Sequence, residues 1–203
     1  MIDKIVSKLV SSNVFVVSNE EECVIVDAGA KLKEVIPVVG KKKVLGVFLT
    51  HGHYDHCFYA TEYAKHFECK IYCSCHAKEY LQNGSYNYSD GKLVVSDFSS
   101  FEFLNGKGEV QLGGLKIAFN QLGGHSLSDM CFQIEDDLFV GDVLIGRDIG
   151  RLDLYGGNKS EMIKSLETLL DANYKTMHSG HGESNAKRIQ DTVVNVWLKY
   201  LKR

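Results

Sequence analysis

Four side chains that commonly bind metal ions crowd into residues 51–56 (HGHYDH), namely His51, His53, Asp55 and His56. Neutral imidazole is a good ligand for zinc, iron and nickel, and a carboxylate adds neutralising charge. The cluster follows the nearly continuous apolar run 44–50, which is typical of a strand buried on both faces. A polar, histidine-rich surface loop is the alternative, but three histidines directly after a buried strand favour a metal site.

Three later segments each offer one further candidate ligand beside small residues. They are His125, Asp142 and His181, and each directly follows a glycine that lets the backbone turn sharply. Each signal alone is weak, because a single histidine or aspartate at a strand end more often satisfies a hydrogen bond. Three separate strand ends that each offer a ligand favour one common centre.

These motifs, preceded by Asp27-Ala28-Gly29, resemble the metallo-β-lactamase superfamily in residue type and in order, from about residue 10 to residue 185. The resemblance implies an α+β fold, a four-layer αββα sandwich with the site at one edge of two sheets. It also implies hydrogen bonds from Asp27 that brace the site. The implied ligands are His51, His53 and His125 for metal 1, Asp55, His56 and His181 for metal 2, and Asp142 as a bridge between the two.

The same resemblance implies a hydrolytic mechanism with two divalent metal ions. Zinc is the expected metal, with iron or manganese as alternatives, because availability decides which ion fills such a site. A hydroxide that bridges the ions would be the nucleophile, since bound zinc lowers the pKa of water to about 7. Asp55 would be the catalytic residue that orients it, and no serine or cysteine nucleophile is expected.

Residues 138–154, with the following Gly156-Gly157, resemble the glyoxalase II group and its shorter relatives. This implies hydrolysis of a thioester such as a hydroxyacyl-glutathione. We expect Arg151 and Asp153 to form a structural ion pair near the site. Leu152 and Tyr155 depart from the usual residues of that group, so the substrate stays open, as do the roles of Arg147, Arg151 and Tyr155.

Two other activities on the same fold stay open. An iron-dependent persulfide dioxygenase would use one iron, held by the residues that match His51, His125 and Asp142. A lactonase is the second alternative. A binding module without activity is disfavoured, because no ligand of the set is missing. A soft metal site at Cys73-Ser74-Cys75-His76 is also disfavoured, because one such motif is incomplete.

The composition fits one globular domain over residues 1–203, with 44% hydrophobic residues and a formal net charge of −3. Mixed charges argue against nucleic acid or anionic membranes as partners, so we expect a small-molecule substrate. The start lacks the pattern of a signal peptide, and no apolar stretch is long enough to span a membrane. We therefore expect a cytoplasmic protein whose six cysteines are free thiols. The sequence does not indicate its oligomeric state.

The periodicity of apolar residues and the helix-capping residues predict the helices and strands that carry these candidate ligands. Residues 31–39 should be a short helix despite Pro37, residues 56–67 a helix, and residues 158–172 a helix capped by Asn158. Residues 82–108 are expected to run mostly over the surface. The predicted strands are 13–17 and 23–27, paired as a hairpin, then 44–50, 70–73, 115–122, 130–134, 138–140 and 175–178.

A last helix is predicted after Ser184, which would cap it. Its apolar stripe is expected to pack on the body of the protein, and it consists of Ile189, Val193, Val196, Trp197, Tyr200 and Leu201.

Overall fold

A computed structural model describes residues 1–203 and contains two six-stranded sheets. The strands of the first sheet lie side by side in chain order. Its first two pairings are antiparallel and the next three are parallel. The strands are β1 (Ile2–Val6), β2 (Asn13–Ser18), β3 (Glu22–Val26), β4 (Lys43–Phe48), β5 (Lys70–Ser74) and β6 (Phe101–Leu104).

The later part of the chain forms the second sheet. A separate two-stranded hairpin lies between the fourth and fifth strands of this sheet along the chain. In chain order the strands are β7 (Lys107–Leu112), β8 (Leu115–Gln121), β9 (Met130–Ile134), β10 (Asp137–Gly141), the hairpin strands β11 (Leu144–Ile145) and β12 (Asp148–Ile149), then β13 (Thr176–Ser179) and β14 (Asn185–Ala186). The spatial order is β14, β13, β10, β9, β8, β7, and only the β10–β13 pairing is parallel.

The structure has six helices, and none is long and apolar enough to cross a membrane. They are α1 (Leu32–Val39), α2 (Tyr54–Cys57), α3 (Ala60–Phe67), α4 (Ala77–Gln82), α5 (Lys159–Asp171) and α6 (Lys187–Leu201).

Three buried clusters show how the elements are layered. Between the sheets, apolar side chains of both interlock, with Phe48 packed edge-on against Phe132 at 5.1 Å between ring centroids. A second cluster lies between the first sheet and α1 and α3, where Tyr63 is fully buried. A third lies between the second sheet and α5 and α6, around Leu166 and Leu198. The predicted αββα sandwich is confirmed.

Most of the predicted elements form. The hairpin of β2 and β3 turns at Asn19, whose side-chain oxygen accepts the backbone N–H groups of Glu21 and Glu22. In α5 the predicted cap is confirmed, since Asn158 Oδ1 accepts from the N–H of Glu161 at 3.0 Å. All six cysteines are free.

The predicted helix over residues 56–67 is wrong as one element, because it divides into α2 and α3. Backbone groups near the junction bond to Ala28 instead of continuing a single helix. Ala28 N–H donates to the carbonyl of His56 at 2.6 Å, and its carbonyl accepts from Tyr59 at 2.9 Å. The end of β3 is thereby joined to the candidate metal-binding helix.

The surface excursion predicted over residues 82–108 is wrong in part. The segment contains β6 and the start of β7, and Asn87 and Ser89 are buried within it. Asn87 donates its side-chain amide to the carbonyls of Tyr80 and Leu93, at 2.9 and 3.0 Å. These bonds satisfy buried backbone groups, which lets a loop rich in Gly, Asn and Ser pass through the interior.

Two predictions for the last helix are wrong. Ala186, not Ser184, directly precedes α6, and the Ser184 hydroxyl instead bonds His178 Nδ1 at 2.7 Å. The buried face of the helix consists of Gln190, Val194, Leu198 and Leu201, so of the predicted stripe only Leu201 is buried. Val193 and Trp197 of the predicted stripe are partly buried and pack at the margin of the third cluster, so the helix docks mainly through a neighbouring face.

Candidate metal centre

Seven candidate ligands meet at one edge of the sandwich, where several strands end. His51 and His53 follow β4, and Asp142 directly follows β10. His125 lies in the connection from β8 to β9, and His181 follows β13. Asp55 and His56 lie on α2. The structure therefore brings together all the metal-site residues that the sequence predicts.

The first group of ligands consists of His51, His53 and His125, which we call the histidine trio. The candidate ligand atoms of the trio lie within 4.8 Å of one another, and all three residues are buried. His53 Nδ1 faces His125 Nε2 at 2.9 Å. Three imidazoles that converge in this way are a suitable donor set for zinc.

The second group consists of Asp55, His56 and His181, which we call the acid–histidine trio. Its candidate ligand atoms also lie within 4.8 Å of one another. Asp55 Oδ2 is 3.3 Å from His56 Nε2 and 3.2 Å from His181 Nε2. His181 is the most exposed of the three, with 19% of its side chain accessible. This trio therefore contains a carboxylate and lies closer to solvent than the histidine trio.

Asp142 lies between the two trios. Its Oδ2 is 3.7 Å from His125 Nε2 on one side and 3.4 Å from His181 Nε2 on the other. Gly180 packs so closely against this carboxylate that a side chain at that position would overlap Oδ1. The placement of Asp142 suits a ligand shared by two ions.

Buried polar atoms without partners show that the cluster fits bound cations. His51 Nε2 and Asp142 Oδ1 are buried and make no hydrogen bond. Such groups are costly to leave unpaired in a protein interior. Nitrogen and carboxylate ligand atoms that converge on one point are the arrangement that a divalent metal ion satisfies.

Hydrogen bonds on the far side of two imidazoles orient them toward the centre. His56 donates its Nδ1 proton to Asp27 Oδ2 at 2.8 Å, and Asp27 also accepts from the backbone and hydroxyl of Thr50. His125 donates its Nδ1 proton to the carbonyl of Arg151 at 3.0 Å. Each bond leaves Nε2 facing the other ligands, and such partners typically set the tautomer of metal-binding histidines.

The histidine pKa values shift in opposite directions in the two trios. Burial and the neighbouring imidazoles lower the pKa of His51 well below its usual range, and burial lowers the pKa of His53 to about 3. Burial alone would also lower the pKa of His56, but Asp55, Asp142 and Asp27 raise it. Burial would also lower the pKa of His181, but Asp142 and Asp55 outweigh it and raise the pKa to about 9.

The carboxylates respond in the opposite direction. Burial favours the neutral acid, but His56 and His181 lower the pKa of both Asp55 and Asp142. Without metal at neutral pH, His51 and His53 are therefore neutral, whereas the acid–histidine trio holds protonated imidazoles beside ionised acids.

A cavity of about 550 Å³ opens onto the centre. Its walls include the apolar side chains of Val10, Ile145 and Leu154. Arg151 also lines it and forms the predicted ion pair with Asp153, with a shortest N–O distance of 2.6 Å. The cavity is large enough for a small-molecule substrate.

The sequence did not predict the role of Asp129, which holds the His125 loop in place through hydrogen bonds to its backbone. Asp129 is buried and accepts the N–H groups of His125 and Ser126, both at 2.9 Å. Burial raises the pKa of this carboxyl. The serines on either side of Leu127, followed by an acid, are the sequence signal that would have indicated a hydrogen-bonded turn here.

Tyrosines also missed by the sequence reasoning surround His53. The ring centroids of Tyr80 and Tyr88 lie 5.8 and 5.3 Å from its imidazole. Tyr88 has a left-handed backbone, with φ of 62°, and its hydroxyl accepts the N–H of Tyr155 at 2.6 Å. The loop of residues 83–100 is thereby tied to the segment that follows β12.

One buried histidine does not join the centre. His178 lies between Ser184 and Asp137 and bonds both, and it stacks on Phe139 at 4.6 Å. Burial lowers its pKa. Its contacts are those of a structural residue, which makes it a useful control for the ligands.

Comparison with known proteins agrees with this geometry. A family model described as the metallo-beta-lactamase superfamily matches residues 8–181. A probable metallo-hydrolase, YqgX of Bacillus subtilis (strain 168), is 29% identical over 181 residues, which cover 85% of this chain and 86% of that protein. A hydroxyacylglutathione hydrolase of Salmonella typhi is 28% identical over 157 residues, covering 75% of this chain but 54% of that protein. The crystal structure of the BLEG-1 B3 metallo-beta-lactamase superposes with a TM-score of 0.88 at 25% identity, covering 98% of this chain and 99% of the other.

Proposed function

Because the chain belongs to the metallo-beta-lactamase superfamily, we propose that it is a metal-dependent hydrolase that cleaves thioesters of the hydroxyacyl-glutathione type. The observation that carries the proposal is the pair of converging trios, joined by Asp142, at the base of a cavity with apolar walls. Identity to the Salmonella typhi hydrolase supports the thioester class.

The residues present would hold two divalent ions, and zinc is the metal we propose. His51, His53 and His125 would hold one ion, Asp55, His56 and His181 would hold the other, and Asp142 would serve both. When bound, the ions would supply Lewis acidity and a water activated as nucleophile at neutral pH. The remaining steps depend on the side chains of the chain itself.

Asp55 is the residue to which we assign proton handling. It lines the cavity, and its Oδ2 lies close to two imidazoles that keep the carboxyl ionised. An ionised carboxylate in this position orients an attacking water and accepts its proton. Asp27 and the carbonyl of Arg151 keep His56 and His125 fixed while this happens.

The apolar wall of the cavity suits the acyl part of a thioester. Val10, Ile145 and Leu154 offer no hydrogen bonds, so they exclude water from the reacting carbonyl. A thiolate leaves more readily than an alkoxide because thiols are more acidic, so the chain needs no strong acid for the leaving group.

The six cysteines of the chain are free thiols, which fits a reducing compartment, so we propose that the enzyme is cytoplasmic.

The test is hydrolysis of S-lactoylglutathione and of a generic thioester, measured as thiol release by the metal-loaded protein. We expect turnover that a chelator abolishes and that added zinc restores. A His125→Ala variant should be inactive, whereas the matched His178→Ala variant, if folded by circular dichroism, should keep its activity.

Elemental analysis and assays with further substrates can contradict the proposed activity. Absence of activity on any thioester with both ions bound would overturn the proposal. One iron per chain with oxygen uptake on glutathione persulfide would instead indicate a dioxygenase. Turnover of lactones or β-lactams without thioester hydrolysis would indicate those activities.

A further inference from the structure

The outward face of α6 exposes apolar side chains that the rest of the protein does not cover. Ile189 is 42% exposed and Val196 is 63% exposed, although both are large and apolar. The opposite face of the helix is buried through Val194 and Leu198. Contiguous apolar surface of this kind marks a binding site more often than single exposed residues do.

This face forms one side of a groove of about 660 Å³, which is larger than the cavity at the metal centre. The volume lies within the range of about 300–1,000 Å³ that is typical of small-molecule sites. Four of its seven lining residues are apolar. The lining residues are Arg147, Arg188, Ile189, Thr192, Val193, Val196 and Trp197.

The charge of the groove is distinct from that of the rest of the chain. Arg147 and Arg188 are exposed and form no ion pair. The chain has only two other arginines, of which Arg151 is paired with Asp153 and Arg203 is the last residue. In a protein with a net charge of −3, two uncompensated guanidinium groups beside one apolar groove favour an anion.

The groove is separate from the metal centre but shares a structural element with it. The β11–β12 hairpin contributes Ile145 to the metal cavity and Arg147 to the groove, and no residue lines both. Trp197 ties the helix to the hairpin, because its indole N–H donates to the Arg147 carbonyl at 3.2 Å. A molecule in the groove is therefore a second ligand and not the reacting thioester.

We propose that this groove binds a carboxylate carried by an apolar chain. The carboxylate would pair with the guanidinium groups of Arg147 and Arg188, and the chain would lie on Ile189, Val193 and Val196. A second copy of the protein is a poorer occupant, because a two-fold contact through this face would bring like-charged arginines together.

The single tryptophan of the chain makes this groove directly observable. Octanoate is titrated into the full-length, metal-loaded protein while the fluorescence of Trp197 is recorded. We expect a saturable change for octanoate. Acetate lacks the apolar chain and octylammonium lacks the negative charge, so each should bind at least tenfold more weakly.

Charge reversal locates the site. Arg188→Glu should weaken octanoate binding at least tenfold, whereas Lys199→Glu makes the same charge change on the same helix outside the groove and should leave binding unchanged. Equilibrium dialysis with labelled octanoate checks the affinity without fluorescence, and circular dichroism checks that both variants fold.

Three results would overturn the proposal. The first is a titration without saturation. The second is equal binding by wild type and Arg188→Glu. The third is a dimer in solution that Arg188→Glu dissociates, which would assign the face to a second copy. None depends on thioester hydrolysis, so the failure of this proposal and the failure of the proposed activity are distinguishable.

Discussion

The two halves of the metal centre are built from similar ligands but differ in charge. The histidine trio is buried and has no acid of its own, and His51 and His53 are neutral in the metal-free protein. The acid–histidine trio includes Asp55 and contacts Asp142, and these acids hold protons on His56 and His181. One half is thus ready to bind a cation, whereas the other must first release protons.

This difference separates two tasks that one centre has to perform. A buried set of imidazoles favours permanent retention of an ion, because His51 and His53 carry no excess proton that the ion has to displace. A set of ion pairs near solvent keeps a carboxylate ionised where a substrate arrives. We infer that the histidine trio mainly retains metal and that the acid–histidine trio mainly supports chemistry.

The largest effect should come from removing the charge of Asp55. Asp55→Asn keeps the shape of the side chain but loses the proton acceptor, so thioester turnover should fall by about 10²–10⁴-fold. Metal bound by the histidine trio should stay, as elemental analysis would show. Activity within tenfold of wild type would mean that Asp55 only fills space in the centre.

The next effect concerns the pH dependence of metal uptake. Binding to the acid–histidine trio must displace the proton of His181, whose pKa is about 9, so affinity there should rise with pH up to that value. Each displaced proton contributes about tenfold per pH unit, so His181 alone accounts for about a hundredfold from pH 7 to 9, and the proton of His56 adds to this. Affinity at the histidine trio should change little over this range, because the pKa of His53 is about 3.

Chelator competition at several pH values measures both affinities, and proton release into weak buffer counts the displaced protons. His181→Gln is the matched control, since it lacks one titrating group of the acid–histidine trio and leaves the histidine trio unchanged. Two sites with the same pH dependence would contradict the division of the centre into a neutral half and a charged half.

A smaller effect should follow from loss of the supporting acids. Asp27 orients His56 and Asp129 holds the His125 loop. Loss of such a partner typically lowers metal affinity by about 10–100-fold. Asp27→Asn should therefore weaken the acid–histidine trio, and Asp129→Asn the histidine trio, as measured by metal retained after graded chelation.

The surface acid Asp136, paired with Lys175, provides the control, and Asp136→Asn should retain both ions. If Asp27→Asn and Asp129→Asn lose the same ion, the two halves are not supported independently.

The sequence was sufficient to predict the seven convergent residues, because a metal centre demands particular side chains at strand ends. Its supporting residues were harder to predict. Asp27 came from a resemblance, whereas Asp129 was missed, because a buried acid that accepts backbone N–H groups has no fixed spacing from the ligand it serves. Chemistry restricts the ligands more than it restricts their supports.

The helices show a different limit. In α6 both Val193 and Val194 lie on apolar faces with helical spacing, and periodicity alone does not say which face docks on a sheet. The break between α2 and α3 depends on backbone bonds to Ala28, which is distant in sequence. Such choices are made by tertiary packing, so local patterns predict that an element exists more reliably than how it packs.

The smallest effect should be on the stability of the metal-free protein, and it should have opposite signs in the two halves. The folded-state pKa of His181, about 9, exceeds its ordinary value of 6.5, so its contribution is complete below pH 6.5 and is lost as pH rises through 9. His53 has its pKa lowered to about 3, so its contribution is present above pH 6.5 and is lost as pH falls toward 3.

The unfolding temperature, measured from pH 4 to 10, tests both the acid and the alkaline limb of the stability curve. Each kcal/mol of change in the free energy of unfolding should shift this temperature by about 2–4 °C for a chain of this size. His181→Gln should flatten the alkaline limb alone, and His53→Gln the acid limb alone. If His181→Gln instead changed the acid limb, the protons would not reside where the ion pairs place them. In the acid–histidine trio, the proton that stabilises the metal-free protein is also the proton that a metal ion has to displace. Stability and metal affinity of this half should therefore depend on the same proton, and that result would contradict the link.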